Sequence, residues 1–93
     1  MPAPQIPGKS TEERESWLRE RPLDELEGII AEADRVAEQE RANYLVRAEN
    51  LKKSAFPARP MHETVMGRVV DECNGVVSLV RAVLLERGGD VQQ

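Results

Sequence analysis

The chain has 93 residues, a net charge of −4, one cysteine and three aromatic residues, Trp17, Tyr44 and Phe56. This length supports one small domain, which buries only about 60–65% of the surface its unfolded chain exposes. A single cysteine excludes an intramolecular disulfide, and no apolar run approaches the ~20 residues of a membrane span or resembles a signal-peptide core, so a soluble, cytoplasmic protein is expected.

Residues 1–9 carry Pro2, Pro4, Pro7 and Gly8 and read as a flexible, extended Pro-rich arm. Ser10 and Glu13 then form an S-x-x-E capping box, with Glu12, Glu13 and Glu15 suited to the positive end of a helix. This first helix is expected over residues 10–21, and Trp17 and Leu18 are its only large apolar residues. Pro22 forces Arg21 out of helical geometry and suits the first turn of a second helix.

That second helix is predicted over residues 22–54, with Leu26, Ile30, Ala33, Ala37, Tyr44, Ala48, Leu51 and Ala55 on one face at ~100° per residue. Its length of roughly 50 Å exceeds what a compact three-helix monomer of this size covers. Glu40 interrupts the apolar face, where a charge needs solvent or a basic partner, and Val46 is an apolar outlier on the opposite face. The prolines of Phe56-Pro57-Ala58-Arg59-Pro60 reverse the chain, with Phe56 expected to cover the turn.

A third helix is predicted over residues 61–87, stopped by Gly88-Gly89 in a left-handed cap. Met66, Val69, Cys73, Val76, Val80 and Val83 alternate steps of three and four, and Val70, Val77 and Leu84 widen that seam. Asp71, Glu72, Asn74 and Gly75 break the two-residue alternation that a strand requires. Gly67 and Gly75 lie off the seam, marking either a tight second contact face or a tolerated cost of about 1 kcal/mol each.

These elements define an all-α chain: a short N-terminal helix followed by a long antiparallel helical hairpin, expected to complete a four-helix-like bundle as a homodimer. Residues 10–88 form one helical domain and residues 89–93 a disordered tail. The core or dimer seam comprises Leu26, Ile30, Tyr44, Leu51, Met66, Val69, Cys73, Val76, Val80 and Val83.

Charge is segregated along the chain. Residues 10–40 hold eleven acids against four arginines, whereas residues 41–68 hold six basic residues against Glu49 and Glu63. A non-enzymatic protein-binding module follows as the expectation, an adaptor, chaperone or inhibitor contacting its unidentified protein partner through Trp17, Arg47, Lys52, Lys53 and Arg59. Two alternatives use the same asymmetry. The basic tip, with Tyr44 and Phe56, would engage nucleic-acid phosphates, although the acidic balance and the scattered directions of Arg47, Lys52 and Lys53 disfavour this. The acidic third would instead imitate phosphates, as small phage-encoded inhibitors do. Within the homodimer itself, that acidic third would meet the basic tip of the second copy in an antiparallel arrangement that pairs Glu40 with Arg41 or Arg47.

No cofactor, metal or catalytic site is expected. His62 and Cys73 are about 16 Å apart along a helix, too far to share a metal, and both read as structural residues, His62 packing or capping near the turn. Leu26, Ile30, Asp34, Arg41 and Lys52 have a helical phasing that resembles the long first helix of the small all-helical chorismate mutases. That family's active site would imply an arginine near the helix start, where this chain has Asp24 and Glu25, and later polar site residues where the third helix has valines.

Overall fold

The computed structural model describes residues 2–88; the expected disordered tail, including Gly89, lies outside the described residues. Three α-helices and one 3₁₀ turn follow in chain order: α1 (Thr11–Arg19), α2 (Leu23–Lys53), the turn Met61–Glu63, and α3 (Val65–Arg87). α2 and α3 form the antiparallel hairpin, and α1 packs on α3.

Each helix boundary has a local cause. The Ser10 hydroxyl accepts from the Glu13 N–H at 3.1 Å, as the capping box requires. The returning Glu13 carboxylate accepts from the Lys9 N–H at 2.7 Å, one residue earlier than the cap's own N–H. Gly8 makes this entry possible, because its φ of +130° and the 2.9 Å approach of the Arg14 nitrogen to an added Cβ exclude larger residues.

α2 ends at Lys53 in a Schellman arrangement, the Phe56 N–H donating to the Leu51 carbonyl and the Ala55 N–H to the Lys52 carbonyl. Ala55 is therefore a cap residue at φ 64°, where glycine is usual, and does not continue the apolar face. α3 starts later than the sequence suggests. Thr64 is extended and caps it, accepting from the Gly67 N–H at 3.1 Å while its hydroxyl donates to the Met61 carbonyl at 2.7 Å. Residues 61–63 are consequently a separate 3₁₀ turn folded onto α3. Gly88 caps α3 in right-handed geometry, φ −112°, with its N–H on the Leu84 carbonyl, so the expected left-handed conformation is absent there.

Two apolar clusters hold the hairpin. At its base, Leu18 of α1, Leu26 of α2 and Val80, Val83 and Leu84 of α3 are buried together with Ile6. Nearer the middle, Ala33, Val36 and Ala37 meet Val70, Cys73 and Val77 beneath Ala3. The arm thus lies on the hairpin instead of projecting freely: its small and β-branched residues enter the groove between α2 and α3, where hydrophobic burial offsets the ordering of the chain. Arm and α1 together form a third layer over the base half only.

Candidate interaction surface

The third layer stops short, and so does the core. The last buried residue of α2 is Glu40 and the first of α3 is Gly67; residues 41–66, all described, include none that is buried. α2 continues through this region to Lys53 without a covering layer, while α3 begins only at Val65 and the loop and 3₁₀ turn occupy the stretch between them. Leu45 is 66% exposed, Val65 69%, and Val46 and Phe56 62% each. Phe56 accordingly does not cover the turn.

A cleft of about 480 Å³ opens at the tip between the end of α2, the connecting loop and the start of α3. Tyr44, Ala48, Leu51 and Met66, all partly buried, line it. Arg47 and Arg59 also border it, and neither forms an ion pair among the described residues. The Tyr44 hydroxyl donates to the Arg59 carbonyl at 2.6 Å, tying the loop to α2 and fixing the cleft wall. Lys52 and Lys53 are exposed in the last turn of α2, where they complement the helix dipole, and do not line the cleft.

The other residues predicted to contact partners or form the seam divide by position. Leu26, Cys73, Val80 and Val83 are buried, whereas Ile30, Tyr44, Leu51, Met66, Val69 and Val76 are only partly so. Trp17 packs on the base cluster beneath the Arg21 guanidinium, 4.9 Å above its ring centre. Glu40 is 6% exposed and engaged within its own chain. His62 is exposed beside Glu63, so it neither packs nor caps, while Cys73 sits in the core, its thiol pKa pushed up by burial.

Ion pairs concentrate at the base. The Arg19 guanidinium donates to Glu86 at 2.8 Å and to Glu15 at 3.4 Å, linking α1 to α3, and Arg35 pairs with Glu32 on α2. The Arg19 hydrogen bond holds the Glu86 carboxyl below the usual range and raises the Arg19 pKa in turn. Among the described residues no group of three or more His, Cys, Asp or Glu converges as a metal site, and no helix is long and apolar enough to cross a membrane. Asp34, Arg41 and Lys52, whose phasing resembles the chorismate mutase helix, are all exposed.

The molecule is correspondingly thin and long, 51 × 30 × 16 Å, with a radius of gyration of 16.2 Å against about 12 Å for a compact domain of this length. It exposes 6428 Å², about 1,000 Å² more than a folded monomer of its mass. Comparison with protein-family models, with curated proteins and with solved structures finds no match.

Proposed function

We propose that this protein is a small, non-enzymatic interaction module of the cytoplasm, working through its helical surfaces as a homodimer in which two hairpins complete a four-helix-like bundle. The observation that supports this reading is the end of burial at Glu40 while α2 runs on to Lys53 with Leu45 and Val46 exposed. Isolated exposed apolar residues are ordinary, but a helical stretch from Arg41 to Lys53 without a buried residue lacks the layer that stabilises such helices. Roles as adaptor, chaperone or inhibitor all fit such a module.

Absolute mass by light scattering across a hundredfold concentration range from low micromolar tests the assembly. A dimer mass that persists on dilution is expected; a monomer throughout would overturn the homodimer and direct the search to a different protein partner. The unpaired Arg47 and Arg59 beside Tyr44 favour one second reading, phosphate contact by the tip. Binding of DNA or RNA at low salt that is lost in Arg47→Gln/Arg59→Gln would establish it, and no binding would remove it.

A further inference from the structure

The arm covers one side of the hairpin and leaves the other bare. Val36 is buried in the cluster that contains Ala3, and Ile29 packs in the cluster that contains Ile6, so the arm lies on that side of α2. On the opposite side, Leu23, Glu27, Asp34, Arg41 and Leu45 fall within an arc of about 40°, roughly a quarter turn from the line of Leu26, Ala33, Ala37 and Glu40. All five are exposed, and Glu27, Asp34 and Arg41 have no ion pair among the described residues.

The order of residues along this flank is symmetric about Asp34. Leu23 and Leu45 lie equally far on either side of it, as do Glu27 and Arg41. We propose that this flank of α2 is the seam for a second copy of the chain, packed antiparallel with its two-fold axis at Asp34. The proposal rests on the homodimer reading above and specifies its contact. Two-fold symmetry then places Leu23 against the partner's Leu45 and Glu27 against the partner's Arg41, each pair occurring twice. A parallel pairing would stack Glu27 on Glu27 and Arg41 on Arg41, placing like charges face to face. The antiparallel seam lays the uncovered distal part of α2 along the base half of the other copy and leaves the tip cleft open. Its one like-charged contact is Asp34 with its symmetry mate.

Each feature has its own test in the full chain. Asp34→Cys should cross-link to a dimer under mild oxidation. Leu23→Cys alone should not, because its two copies lie roughly 33 Å apart along the seam, whereas Leu23→Cys/Leu45→Cys should. Glu27→Arg and Arg41→Glu should each weaken the dimer about tenfold, and a mixture of the two variants, or both changes in one chain, should restore it. Asp34→Asn should tighten association, an effect that an ordinary exposed aspartate would not produce. A monomer at every concentration overturns the proposal. A stable dimer in which Asp34→Cys stays uncross-linked and the charge swap gives no rescue also overturns it, while leaving the homodimer reading standing.

Discussion

Gly67 and Gly75 lie on the same helix, and the structure assigns opposite signs to the same substitution at the two positions. A Cβ built on Gly67 would sit 2.0 Å from the Met61 carbonyl oxygen, 2.7 Å from its carbon and 2.9 Å from the His62 Cα. All three are backbone atoms of the 3₁₀ turn, so no side-chain rotation relieves the clash. The turn must lift, carrying the partly buried Met61 off the middle cluster and weakening the Thr64 cap. Overpacking of this kind costs about 1–3 kcal/mol, from which up to about 1 kcal/mol of helix propensity is subtracted near a helix start. Gly75 has nothing within 4 Å of its added Cβ, so Gly75→Ala should stabilise by about 0.5–1 kcal/mol. The two variants should therefore differ by about 2 kcal/mol. Urea titration followed by far-UV circular dichroism at fixed protein concentration measures both, and in a domain of this size that difference corresponds to roughly 8–16 °C in Tm. Gly67→Ala as stabilising as Gly75→Ala would refute the close seating of the turn on α3.

Ile6→Ala should cost about 2 kcal/mol, since Ile6 is buried in the base cluster at its edge; a loss below about 0.5 kcal/mol in the same titration would mean the arm contributes no packing. Ala55→Gly should stabilise by about 0.5–1 kcal/mol by relieving the left-handed alanine, and a destabilised variant would count against the Schellman ending of α2. The Arg19–Glu86 link should favour docking of α1 above the ordinary carboxylate pKa of about 4.3 and be lost as the pH falls through the lowered value of Glu86. Trp17 fluorescence should follow that loss, and an unchanged acid response in Glu86→Gln would show that the pair does not set it.

The hairpin was legible in the sequence because its signals are periodic: the Met66-to-Val83 seam, the Leu26-to-Ala37 face and the prolines between them all act over many residues. The capping box was legible as a local rule. What escaped depends on tertiary placement. Prolines in the arm signal an absence of helix, yet Ala3 and Ile6 find a groove that exists only once α2 and α3 have paired. Thr64 is a good cap but sits inside a continuous apolar pattern, so the break at the start of α3 was hidden. Phase alone placed Tyr44, Leu51 and Met66 in the seam with Leu26 and Val80, since periodicity reports direction around a helix and carries no information on whether a third layer extends far enough to cover them. Leu45 was the missed signal for the bare flank: together with Leu23, which flanks the main apolar face, it is set symmetrically about Asp34.

The abrupt end of burial at Glu40 also divides the molecule dynamically. Helical amides that lack buried neighbours exchange through local openings, whereas those over the two clusters wait for cooperative unfolding. Residues 44–53 should thus lose protection while the base remains intact, and a helicity melt should slope before its main transition. Occupancy at the far end would register first as slowed exchange in that segment, before the melting of the base responds.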